Sequence, residues 1–87
     1  MKKLIDLDVN EKCVVKSIDT DNQKLRRRLR DMGIIIGRNL EIKGKAPMGY
    51  PIDIYFAGYD LTLRKNEAKC IKVEKLDNNN WQKIILW

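Results

Sequence analysis

A short helix shut off by glycine constrains this chain more than any other feature. Residues 25–37 read Leu-Arg-Arg-Arg-Leu-Arg-Asp-Met-Gly-Ile-Ile-Ile-Gly. Leu25, Leu29 and Met32 fall at i, i+4 and i+7, one narrow apolar stripe on a helical period. Upstream, Thr20 and Gln23 have capping-box spacing, the Thr hydroxyl and Gln amide being placed to satisfy orphan N–H groups. Asp21 is an equally eligible N-cap. At the other end, Gly33 suits the left-handed position past the last turn, with Ile34 and Leu29 as the hydrophobic pair of a Schellman ending. Ile36-Gly37 then suits a type II turn, Gly37 supplying positive φ. The helix therefore stops, turns twice and feeds a strand that it can lie across.

The rest reads as short strands. A first strand is expected over 13–18, with β-branched Val14 and Val15 but no clean alternation. Ahead of it, Leu4, Leu7 and Val9 in an entry arm are placed to cover one end of a barrel. A second strand is expected over 38–45, Leu40 and Ile42 facing one way, Glu41 and Lys43 the other. Ala-Pro-Met-Gly-Tyr-Pro at 46–51 is a loop, Pro47 suiting the second position of a turn and Pro51 marking the next strand start. A two-residue turn at Ala57-Gly58 makes a hairpin in which Phe56 faces Tyr59, Ile54 faces Leu61 and Ile52 faces Leu63. That register puts an apolar or aromatic face against one carrying Asp53, Tyr55, Asp60 and Thr62. One helical turn capped by Asn66 is expected over 66–69, then a last strand over 70–75 with Ile71 and Val73 inward. The pattern predicts a mainly β fold: a small five-stranded SH3-like barrel, one α-helix between the first and second strands and a short helical turn before the last.

Eighty-seven residues allow one hydrophobic core, assigned here to 1–76. No apolar run approaches the roughly 20 residues of a membrane span, and the charged start does not read as a signal peptide, so a cytoplasmic location is expected. Cys13 and Cys70 are far apart and there is no histidine, which points to buried thiols rather than a disulfide or a structural zinc site. No nucleophile motif, phosphate-cradling glycine loop or spaced acidic pair argues for catalysis. The net charge of +6 admits an anionic partner. A nucleic-acid-binding basic barrel is the alternative reading, but Tyr55 is the one strand-face aromatic it could use, and nucleic acid is not the expected partner. Residues 77–87 form an Asn-rich linker and an apolar tail from Trp81 to Trp87. That tail docks on its own barrel, on a second copy to give a homo-oligomer, or on a partner.

The chain resembles the FeoA family, the small bacterial ferrous iron transport protein A. The likeness is carried by residues 25–34, Gly37, the loop and strand start at 46–52, and the Leu-Thr-Leu-Arg-Lys-Asn-Glu-Ala of 61–68. The same barrel is similar to the C-terminal domain of iron-dependent repressors, which keeps a metal-responsive regulatory module among the alternatives. Departures are Ile36 before Gly37 in place of proline, Tyr50 in place of an acidic residue, and Val9-Asn10-Glu11 where the family has Pro-Gly. The resemblance implies a non-enzymatic accessory protein that docks on the ferrous iron permease, ferrous iron transport protein B, through its GTPase domain and modulates it. It implies membrane association through that permease and no insertion of its own. It also implies transition-metal binding at family level, ferrous iron or another metal, with no intrinsic cofactor and no metal ligands that this sequence identifies.

The residues expected at that contact are Arg26, Arg27 and Arg30 on the helix and Pro47, Met48 and Tyr50 on the loop. Arg27 is spaced to pair with Asp31, Arg26 and Arg30 form a like-charged stripe, and Arg28 flanks the apolar stripe with its stem. Met48 and Tyr50 are adaptable contact residues on a loop held by a rigid barrel. Gly33, Gly37, Gly49 and Gly58 are the expected structural turns.

Overall fold

The hairpin register is the one expected from side-chain alternation. In a computed structural model that describes residues 2–76, strands β4 (Ile52–Phe56) and β5 (Tyr59–Leu63) pair antiparallel, with Ile52 opposite Leu63, Ile54 opposite Leu61 and Phe56 opposite Tyr59. Ala57 and Gly58 both have positive φ, as a two-residue hairpin turn requires. Ile52, Ile54, Phe56 and Leu63 are buried, whereas Tyr59 is 69% exposed. It stands at the hairpin tip, past the edge of the core, so its expected place on the apolar face gives contact with the Phe56 ring but not burial.

The other strands are β1 (Lys2–Lys3), β2 (Lys12–Ile18), β3 (Asn39–Lys45) and β6 (Ile71–Leu76), in the sheet order β1-β6-β2-β3-β4-β5, all antiparallel. The fold is mainly β, as expected, with two-residue β1 added as a sixth strand. The barrel is not closed among the described residues: β5 pairs with β4 alone and β1 with β6 alone. The irregular alternation of β2 has a cause. Val15 pairs with Val73 and Ser17 with Lys72, so Lys16 is the extra residue of a bulge. Lys43 does the same in β3.

Helix α1 spans Gln23–Asp31. Its N-cap is Asn22, whose side chain accepts from the N–H groups of Lys24 and Leu25, so neither Thr20 nor Asp21 caps it. Thr20 acts one step earlier, its hydroxyl accepting from the Asn22 N–H. The helix ends as expected. Gly33 has φ +94°, its N–H donates to Arg30 O, and the Ile34 N–H donates to Leu29 O, the two bonds of a Schellman motif. The next turn, closed by Arg38 N–H to Ile35 O with Gly37 at φ +92°, is fastened to β2 by Gly37 N–H to Val15 O and Val15 N–H to Arg38 O. Leu29 and Ile34 are fully buried, and Leu25 and Met32 pack at the margin of the core.

Leu4 and Leu7, around the 3-10 turn Leu4–Asp6, join that core, but Val9 is 45% exposed. The chain turns from Asp8 to Glu11, closed by Glu11 N–H to Asp8 O, and this puts Val9 at the apex. Asn10 takes φ +74° there, doing the work of a glycine with a residue that tolerates the left-handed region. Helix α2 spans Lys65–Ala68 and is capped at Arg64, not Asn66, because Glu67 reaches back to the Arg64 N–H. Ile71 and Val73 point inward as expected. The tail expected at 77–87 lies outside the described residues.

Candidate functional site

The loop between β3 and β4 is held at every side except its tip. Ala46 N–H donates to Pro51 O and closes its base, and Gly49 N–H donates to Ala46 O to form a turn with Pro47 second, as expected. Gly49 takes φ +96°. The Lys45 ammonium donates to Ile5 O at 2.8 Å and ties the loop's root to the 3-10 turn. Tyr50 is half-buried on the core, and the Lys65 ammonium lies 6.0 Å from its ring centroid. Pro47 is exposed, and Met48, at 93%, is the most exposed large hydrophobic side chain among the described residues. A flexible apolar side chain is thus carried on a tied-down backbone and left in water.

The helix arginines separate into different jobs. Arg26 is half-buried, its Nη2 donating to Thr20 O at 2.7 Å, which ties the guanidinium to the backbone ahead of the helix. Arg27 and Arg30 are exposed, and the expected pair of Arg27 with Asp31 does not form among the described residues. Arg28, read as a stem over the apolar stripe, makes the decisive contact instead: its Nε donates to Glu67 Oε2 at 2.7 Å. Glu67 is 3% exposed, and its other oxygen takes the Arg64 N–H at 2.9 Å. The Cys70 thiol donates to Glu67 O. Glu67 therefore locks α2 to α1. It was not legible in sequence because its partner is 39 residues away, and the sole hint was an acidic residue at the N3 position of a short helix.

Loop and helix do not merge into one site. Short α2 touches both, Lys65 on Tyr50 and Glu67 on Arg28, and no hydrogen bond, ion pair or ring contact joins the loop to α1 among the described residues. Along α1, Lys24, Arg27, Arg28, Asp31 and Met32 line a shallow groove of about 450 Å³. Both cysteines are free and buried. Burial, with the Glu11 carboxylate adding to it, pushes the Cys13 thiol up to about 12, and burial raises Cys70, so neither is a poised nucleophile. Among the described residues no three His, Cys, Asp or Glu side chains gather to hold a metal ion, and no helix is long and apolar enough to cross a membrane.

The family profile of the FeoA domain matches residues 2–75. The FeoA-like protein of Clostridium acetobutylicum is 44% identical and superposes with a TM-score of 0.77 over 88% of each chain. FeoA of Stenotrophomonas maltophilia, a prokaryotic SH3 domain protein complexed with zinc, is 28% identical, with a TM-score of 0.72 over 85% of this chain and 91% of that one. A manganese-dependent transcriptional repressor shares the fold at 18% identity, with a TM-score of 0.80 over 86% of this chain and 36% of its own. Comparison with curated proteins returns no match. A profile that spans every described element but the end of β6, and solved relatives with the same SH3-like sheet, make this chain a member of the FeoA family.

Proposed function

We propose that this protein is a non-enzymatic cytoplasmic accessory to the ferrous iron permease, ferrous iron transport protein B, and that it docks on the permease through the 46–51 loop. The observation that carries this is Met48, 93% exposed on a loop whose base, root and neighbouring ring are all tied down. A loop backbone already held by its scaffold need not be ordered on binding, which leaves the Met48 side chain as the part whose ordering costs entropy. Pro47 and Tyr50 flank it, while Arg27 and Arg30 lie apart from the loop on α1 and are offered to an acidic neighbour outside that contact.

A resident metal does not fit the donor set. The Stenotrophomonas relative is complexed with zinc, but this chain has no histidine, its thiols are buried, and its carboxylates are dispersed among the described residues. Ferrous iron belongs to the scheme as the permease's cargo. Titration of purified full-length permease in detergent against fluorescently labelled protein tests the proposal. Saturable binding weakened about tenfold or more by Met48→Ala is expected of a central apolar anchor. Absence of saturable binding, or wild-type affinity in the variant, overturns it.

A further inference from the structure

Helix α1 and helix α2 with its two cap residues, Arg64 and Lys69, together carry a charge equal to the whole net charge of the chain. Residues 23–31 and 64–69 carry eight cations and two carboxylates, a balance of +6, while the remaining residues carry ten of each sign. Of the two carboxylates, Glu67 is buried against Arg28. Lys24, Arg27, Arg30, Lys65 and Lys69 are exposed and hold no ion pair among the described residues. Directly past the Gly33 cap of α1, Ile35 and Ile36 are 43% and 68% exposed. Neither helix carries an aromatic side chain on which a base could stack, the exposed tyrosines being on strands.

We propose that this basic helical face adsorbs to the phosphate headgroups of an anionic lipid bilayer, with Ile35 and Ile36 entering the headgroup layer. The assignment deepens the permease reading by naming the acidic neighbour of Arg27 and Arg30, and it rests on that reading only for bringing the protein near a membrane. Charge complementarity selects the partner. A field of mobile phosphates accepts cations spread over two helices without needing matched carboxylates, and apolar residues beside a basic helix suit the headgroup boundary. The 46–51 loop, which no hydrogen bond, ion pair or ring contact joins to α1 among the described residues, stays available to the permease.

The test is cosedimentation of the full chain with vesicles of phosphatidylglycerol and phosphatidylcholine, or of phosphatidylcholine alone. Binding to the anionic vesicles, lost as salt is raised, is expected. The variant K24E/R27E/R30E should bind at least about a hundredfold more weakly, at about fivefold for each cation lost near the surface, the added carboxylates weakening it further. The control K3E/K16E/K43E makes the same change of net charge on strands and should bind within a few-fold of wild type. Equal binding to neutral vesicles, survival of binding in high salt, or equal losses in both variants overturns the assignment. So does displacement from the vesicles by an RNA duplex at equal phosphate concentration. In detergent without anionic lipid, K24E/R27E/R30E should keep wild-type affinity for the permease. If it loses that affinity while wild type ignores the vesicles, the face belongs to the permease and the lipid assignment falls alone. Vesicle binding with no permease binding sinks the docking reading instead.

Discussion

Replacing Arg28 by methionine should loosen α2 from α1, because it strips a buried carboxylate of one of its two partners. The Glu67 side chain is 4% exposed, with Arg28 Nε on one oxygen at 2.7 Å and the Arg64 N–H on the other at 2.9 Å. Breaking a fully buried pair costs about 3–5 kcal/mol, and an exposed one about 0–1 kcal/mol. The Arg28 side chain is 58% exposed, so water screens one side of the contact. The cost falls between, at about 1–2 kcal/mol. In a domain of this size that lowers the melting temperature by roughly 5–15 °C. Methionine keeps the apolar stem, so the loss reports the guanidinium and not the packing. Thermal unfolding followed by circular dichroism should be run on Arg28→Met, Glu67→Gln and the double variant. The amide of Glu67→Gln keeps an acceptor for the Arg64 N–H without burying a charge. The double variant should therefore be less damaged than the two losses added, with a coupling of about 1 kcal/mol. Melting of Arg28→Met within about 2 °C of wild type, or strict additivity, refutes the lock.

Two further outcomes follow from local geometry. Gly33 and Gly37 have nearly the same positive φ, but a Cβ at Gly33 would meet Phe56 Cε2 at 3.0 Å, whereas one at Gly37 meets nothing within 4 Å. In urea unfolding, Gly37→Ala should cost about 1 kcal/mol for the backbone alone and Gly33→Ala about 2–3 kcal/mol; equal losses would refute the packing of Phe56 on the helix cap. The Lys75 ion pair, helped by the Asp8 N–H, holds the Glu11 carboxyl below its ordinary value of 4.5. Its stabilisation is present above that value and is lost as pH falls through the folded-state value. Glu11→Gln should therefore lower the urea midpoint at neutral pH, and the gap to wild type should close on acidification; a gap that persists in acid contradicts this.

Much of the fold was legible because its signals are local. The Schellman ending needs only Leu29, Gly33 and Ile34, and the hairpin register needs only alternation on either side of Ala57-Gly58. Where several neighbours could do one job, sequence could not choose: Thr20, Asp21 and Asn22 all cap helices, and Asn22 does so here. Asn10 hid a positive φ behind a side chain that also adopts ordinary backbone. Bulges at Lys16 and Lys43 appear only once strands are paired. The candidate site was half legible. A loop with two prolines and a glycine announces itself, and Met48 is exposed as its tip position suggests. The arginine run does not reveal that Arg26 caps a carbonyl and Arg28 a carboxylate, since both partners are set by tertiary folding. The charge asymmetry was present in the counts, but it becomes a surface only when α2 is seen locked against α1.

Site-specific photo-crosslinking in intact membranes tests the central claim most directly. Benzophenone-bearing residues placed at Met48 and, separately, at Lys16 on the sheet report what each position touches. Met48→benzoylphenylalanine should cross-link to the ferrous iron permease, and Lys16→benzoylphenylalanine should not. Cross-links to the permease from Lys16 alone, or from neither position while the permease is abundant, would contradict docking through the loop.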